Sequence, residues 1–337
     1  MPLLMNRTIA AIPHLSTFLA DHPRAVAGWG RKPSGWRAGV VAALLRRPVL
    51  RLEDGFLRGL DRDGPPLSLL LDDTGVYYDA TRPSAMERAI AANAARQTHP
   101  AEALALAQIW RAGGLSKYNH HPDPRARMDH PYVLVADQCA DDLSLAHGLA
   151  GRGKAAHHRF HRMVAAALDE HPDCLVMVKT HPDLLSHGRR GLCRPALLHH
   201  PRLRLLDTPS HPARLIAGAR AIYTLTSLLG FEGLIWGRPV RCFAMPFYAG
   251  WGLTQDEMPA PARRAPARLT DLLHAAFIDL PRYADPASGQ PRSAHQAFAH
   301  AATALARRRH AALSAATPGA TPLVPACVPP VRAAALR

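Results

Sequence analysis

Between Tyr132 and Phe243 the chain repeats one arrangement: a short apolar run, a polar turn, then a helix-forming stretch. YVLVA (132–136), CLVMVKT (174–180), LRLLDT (203–208), AIYTLT (221–226) and PVRCF (239–243) read as strands. His157–Glu170, His211–Gly218 and Leu228–Trp236 read as helices between them. Strands that alternate with helices form parallel βαβ units. Such sheets bind ligands at the carboxyl ends of their strands, in the loops that lead into helices. The fold class is therefore α/β, and the chemistry is to be sought at those strand ends.

The first half carries a second α/β stretch. AVAGW (25–29) breaks into Gly28, Gly30 and Gly35, as a strand entering a helix start would. PVLRLED (48–54) and LSLLLDD (67–73) read as buried strands ending in acids, and VYYDA (76–80) as a further strand after a Thr74-Gly75 turn. Ser84 can cap a helix over Ala85–Gln97, with Glu87 completing a capping box. Another helix should cover 101–112. The length of 337 residues suits two domains. We expect them at 1–115 and 132–295, joined by the polar, proline-bearing linker 116–131. Residues 296–337 should be a helical stretch and then a disordered tail.

Four segments could carry chemistry. VLVADQCADDLS (133–144) puts Asp137, Gln138, Asp141, Asp142 and Ser144 just past a strand. A carboxylate there can work at an anomeric carbon; acids there also cap the next helix. Both readings stand. VKTHPD (178–183) puts Lys179 and His181-Pro182 at a strand tip. They can grip a phosphate or carboxylate, although a His before Pro is more often a turn residue. In YTLTSLLGFEGLIWG (223–237), Thr224, Thr226 and Ser227 mark a helix start, whose free N–H groups suit a phosphate. Glu232 in its second turn can take both hydroxyls of a ribose, while caps and early acids are routine at helix starts. The first half places Arg31, Lys32, Arg58, Asp72, Asp73, Tyr77 and Tyr78 near strand ends. The aromatic and glycine loop AMPFYAGWGLTQD (244–256) can be a plug between domains or a substrate loop, and its chemistry favours the plug.

Several classes are disfavoured. Pro33 breaks GxGxxG, so no nicotinamide cofactor is expected, and P-loop, GxSxG and HExxH patterns are absent. The five cysteines form no CxxC pair, which argues against a disulfide framework and a zinc site and suits the cytoplasm. No apolar run reaches the roughly 18 residues of a membrane span, and the start reads as folded protein rather than a signal peptide. The net charge of +15 reads mostly as a composition rich in Ala, Arg and Pro throughout; it supports an anionic partner without identifying one. The arginines are scattered, with no basic stripe interleaved with aromatics, so nucleic acid is not expected.

The strings GWGRKPSG, LRLEDGFLRGL, PLSLLLDDTGVYYDA, SKYN, VLVADQCADDLS, VKTHPD, LDTPSHPARLI, YTLTSLLGFEGLIWG and PFYAGWGLTQD occur in this order over roughly residues 28–290. In this the chain resembles the capsular polysaccharide β-Kdo transferases of the KpsC type. The resemblance implies a GT-B-like fold, with two Rossmann-like domains facing across a cleft. It also implies a cytoplasmic enzyme, peripheral at the inner membrane face, that moves Kdo with retention from CMP-β-Kdo to a lipid-linked Kdo acceptor. Family members often carry two such modules, and this chain shows one. On this reading Asp142 is the nucleophile, with Asp141 as the fallback and Gln138 orienting it. Thr226, Ser227, Lys179, His181 and Pro182 hold the donor phosphate, and Glu232 the ribose. Arg31, Lys32, Arg58, Asp73 and Tyr78 face the acceptor, and neither metal nor cofactor is needed. Two departures touch substrate geometry: Asp141 stands where the family pattern has Gly, and Ala244 likewise. A non-catalytic scaffold of capsule assembly and another nucleotide-sugar enzyme of the same fold are the alternatives.

Overall fold

The computed structural model describes residues 2–96, 100–124, 128, 130–181, 183–184, 188–194 and 199–316. The strands are β1 (Leu3–Leu4), β2 (Val26–Trp29), β3 (Val49–Asp54), β4 (Ser68–Asp72), β5 (Tyr132–Ala136), β6 (Leu175–Lys179), β7 (Leu203–Leu206), β8 (Ile222–Thr224), β9 (Val240–Cys242), β10 (Gln255–Asp256), β11 (Pro281–Ala284) and β12 (Pro291–Arg292). They form two sheets, ordered β1-β2-β3-β4-β11-β12 and β10-β9-β8-β5-β6-β7.

The second sheet is parallel throughout. Every residue of β5 is buried, as a parallel strand covered on both faces requires. Its side chains alternate between two cores. Val133 and Val135 meet Phe160 and Met163 of the helix Lys154–Glu170, while Leu134 joins Leu215, Ile222 and Phe231. That latter core continues into the first half through Phe56, Leu67, Leu70 and Trp110, so the two sheets share one apolar seam. Phe56 stacks on Phe247 at 4.9 Å between centroids and lies 5.0 Å from Phe231.

The first sheet is mixed. β1, β2 and β3 are parallel, and β4 and β11 add antiparallel. Its opening unit is a tight strand-to-helix turn. A Cβ on Gly28 would sit 2.2 Å from the Ser34 carbonyl oxygen, so only glycine lets β2 approach the helix Pro33–Leu44.

The structure departs from expectation in four places. VYYDA (76–80) is a turn, not a strand. The Asp72 carboxylate accepts from the N–H groups of Thr74, Gly75 and Ala85, which folds the chain back after β4. The capping box at the helix Ala85–Arg96 is half formed: Ser84 Oγ accepts from Glu87 N, but the Glu87 carboxylate turns to Arg263 and Arg264. The sheet pairing does not follow a boundary at 295, because β11 and β12 extend the first sheet. The helix Ala294–Ala316 then packs on Ala101–Gly113, with Arg309 donating to the Gly113 carbonyl. Finally, the segment expected as linker begins buried, with Ser116 and Asn119 almost sealed from solvent. The expected disordered tail falls outside the described residues.

The loop 244–256 is a plug. Met245, Phe247, Tyr248, Ala249 and Trp251 are all buried. Arg264 locks it, donating to the Pro246 and Ala249 carbonyls and to Glu87 of the first half. Removing one partner of such a buried pair strands the other charge, at about 3–5 kcal/mol. Glu87→Ala should lower the unfolding free energy read from urea titration by that order, and Glu87→Gln by less.

Candidate active site

A cleft of about 460 Å³ opens where the carboxyl ends of β5, β6 and β8 face the end of β3. Its second-half wall is laced by Gln138. The Gln138 amide donates to Thr226 Oγ1 at 2.9 Å, and its carbonyl accepts from Thr226 N at 2.9 Å. Ser144 Oγ lies 2.9 Å from the same Thr226 hydroxyl. Two loops from distant parts of the chain are thereby fixed edge to edge.

Asp142 is the N-cap of the helix Leu143–His147, its Oδ1 accepting from Ser144 N at 2.9 Å. It is half-buried and lines the cleft. Asp141 is exposed and paired to Arg189 at 2.6 Å, a hydrogen bond that holds its carboxyl below the usual range. Asp137 is buried and spent structurally, accepting from the N–H groups of Gln138, Leu192 and Cys193. All three acids past β5 line the cleft, and among the described residues Asp142 is the one neither paired with an arginine nor saturated by three backbone N–H groups.

Ser227 caps the eight-residue helix Leu228–Ile235, and its own N–H is taken by Thr224 Oγ1 at 2.9 Å. Glu232 is buried. One oxygen accepts from Ser116 Oγ at 2.8 Å and from Lys117 N at 3.1 Å; the other is buried with no partner. Burial pushes this carboxyl up to about 7, against the opposing pull of those hydrogen bonds and of Lys117. Burial likewise lowers Lys179 to about 8, with Glu232 opposing it. A buried, unpartnered carboxylate oxygen on a residue that lines the cleft suits a ligand hydroxyl.

Across the cleft stands Glu53, at the end of β3. Burial raises its carboxyl to about 7, with Lys117 pulling the other way. It is hydrogen-bonded to Tyr78, whose hydroxyl accepts from Arg31 N at 3.1 Å. Gly30 makes the room: it has φ of 37°, and a Cβ there would lie 1.8 Å from Glu53 Oε1. Lys32, Trp29, Asp54, Tyr77 and Lys117 complete this wall.

The structure thus gathers Asp141, Asp142, Gln138, Lys179, His181, Thr226, Ser227, Glu232, Lys32 and Tyr78 around one cavity. Pro182 lies outside the described residues. Three first-half expectations are not gathered. Arg31 pairs with the buried Asp79 behind the wall. Arg58 pairs with Asp54 at 3.4 Å and donates to the Arg62 carbonyl. Asp73 pairs with Arg88 in a separate depression. Sequence reasoning missed Glu53 and Lys117. A Glu closing a buried strand in LEDG was the available signal for the first; SKYN was read as linker and hid the second.

Cys139, His181 and Asp183 bring ligand atoms within 4.8 Å of one another. Asp183 is already held by Arg62 at 3.0 Å and Arg189 at 3.4 Å, and burial raises the Cys139 thiol to about 12. The group is a poor cation trap, since two guanidiniums hold its carboxylate and its thiol keeps its proton at neutral pH.

Comparison with known proteins agrees with this architecture. The profile described as "Capsule polysaccharide biosynthesis protein" matches residues 24–123 and 105–283. The capsule polysaccharide modification protein LipA of Neisseria meningitidis serogroup A is 37% identical over 327 residues, covering 88% of this chain and 45% of LipA. The lipopolysaccharide-processing protein LpsZ of Rhizobium meliloti is 37% identical over 245 residues, covering 70% and 54%. The chain therefore spans about half the length of these curated relatives. Among solved structures, the β-Kdo 2,4 transferase of Thermosulfurimonas dismutans KpsC superposes with a TM-score of 0.77 at 34% identity, covering 89% of this chain and 97% of that one. The β-Kdo 2,7 transferase of the same KpsC gives 0.60 at 28%, covering 83% and 85%. With the α/β, GT-B-like pair of sheets about a cleft and this match over most of its length, the chain belongs to the capsule polysaccharide biosynthesis protein family.

Proposed function

We propose that the chain is a retaining β-Kdo transferase, moving Kdo from CMP-β-Kdo to a lipid-linked Kdo acceptor at the inner face of the cytoplasmic membrane. The observation that carries the reading is Asp142, an acid aimed into a cleft whose other wall presents Glu53. In the first step the Asp142 carboxylate attacks the anomeric carbon, and that carbon's bond to the phosphate oxygen breaks with its electron pair leaving on CMP. The phosphate sits against the helix start at Ser227 and beside Lys179 and His181, and the unpartnered Glu232 oxygen takes a ribose hydroxyl. In the second step the acceptor hydroxyl gives its proton to Glu53 and attacks the same carbon, and the Asp142 carboxylate leaves. Two inversions give retention.

The test is transfer by the purified chain from CMP-Kdo, generated in situ, to a short synthetic Kdo-terminated acceptor, followed by mass spectrometry. Product with a β-linkage supports the reading. Failure on several Kdo acceptors, or equal transfer from other nucleotide sugars, would sink it.

A further inference from the structure

The helix Pro33–Leu44 buries Ser34, Gly35, Ala38 and Ala42 against β2 and β3, and turns large apolar residues outward. Trp36 is 69% exposed, Val40 41%, Leu44 78% and the adjoining Leu45 51%; only Leu3 and Leu205 are other large apolar residues exposed in this way among the described ones. The spacing i, i+4, i+8 puts Trp36, Val40 and Leu44 on one face, a stripe about 12 Å long. Exposed Arg24, Lys32, Arg37 and Arg46 border this helix, and no acid occurs between Asp21 and Glu53. The helix begins one residue after Lys32, which with Trp29 lines the cleft.

We propose that this face docks on an anionic lipid bilayer. Trp36 and the aliphatic stripe enter the headgroup boundary and the cations meet acidic headgroups, so the rim of the cleft rests on the membrane. An apolar stripe among uniformly positive charge is what an anionic interface recognises; a second copy would set these cations against one another. No described helix is long and apolar enough to cross a membrane, so the contact is superficial. The proposal rests on the reading that the acceptor is lipid-linked.

The experiment is co-sedimentation of the full chain with phosphatidylcholine vesicles, with and without phosphatidylglycerol. Wild type should bind the anionic vesicles and release with added salt. The variant Trp36→Ser/Leu44→Ser should bind at least about tenfold more weakly, and Arg37→Glu/Arg46→Glu should lose the preference for phosphatidylglycerol. All these positions are solvent-facing, so circular dichroism should match wild type. Transfer to a short water-soluble acceptor should be unchanged in Trp36→Ser/Leu44→Ser, which separates this proposal from the assignment of activity. Equal vesicle binding by the variant, no binding by wild type, or a wild-type dimer that Trp36→Ser dissociates would each overturn it.

Discussion

Asp142→Asn should abolish Kdo transfer, by at least about a thousandfold in kcat, while leaving stability nearly unchanged. The asymmetry follows from the role Asp142 has in the fold and the one proposed for it in catalysis. As N-cap it accepts from Ser144 N, and Asn caps about as well as Asp. As the proposed nucleophile it needs an anionic oxygen, which Asn lacks. Asp142→Ala should lose both, adding about 1 kcal/mol of destabilisation from the missing cap. Transfer assays beside urea titrations of the three proteins check this. Asp141→Asn is the control: its carboxylate is exposed and held by Arg189, so its loss should cost far less. Wild-type rates in Asp142→Asn would remove it from the chemistry and leave only its capping role.

The second large effect should come from Glu53→Gln. A positioned general base is worth about a hundred- to ten-thousandfold, and the loss should fall on one step only. Attack by Asp142 and departure of CMP need no base, so Glu53→Gln should accumulate a Kdo adduct on the protein that Asp142→Asn never forms. Intact-protein mass spectrometry reads the difference. The pH dependence carries the same signature. With the Glu53 carboxyl raised to about 7 by burial, wild-type transfer should fall as pH drops below 7, because the base becomes protonated, and should level off above it. The Gln variant should be slow and lack that limb. Stability gives an independent sign. A carboxyl raised from 4.5 to about 7 carries no penalty below pH 4.5, where both folded and unfolded chains are protonated, and a growing one up to about 7, where only the unfolded chain has ionised freely. Glu53→Gln should therefore raise the melting temperature more at pH 8 than at pH 4.5. Activity surviving in Glu53→Gln with an unchanged pH profile would leave the second step without this base.

How much of this was legible in the sequence differs between the halves. In the second half, apolar runs of strand length ending in Asp137, Lys179 and Thr226 fixed both the parallel sheet and the positions of its binding loops, because strand ends and helix starts are local events. In the first half, VYYDA has strand-like composition, yet the backbone-binding carboxylate of Asp72 turns it into a loop. Period and propensity do not register a side chain that reaches back to cap its own chain.

The sequence by itself determined the α/β class, the strands β2 to β9, the apolar plug 244–256 and the gathering of the candidate second-half residues, Asp142 and Glu232 among them, at one set of strand ends. Only the tertiary structure decided which acids are free to act. Asp137, Asp141 and Asp142 are alike in the sequence and all line the cleft, but the first is saturated by three backbone N–H groups, the second is held by an arginine 48 residues away, and the third accepts from Ser144 N with no arginine on it among the described residues. It likewise put Glu53 in the cleft and left Arg58 and Asp73 out of it, and sent β11 and β12 back to the first sheet. The physical reason is that burial and partnership set a carboxylate's chemistry, and both come from segments far apart in the chain.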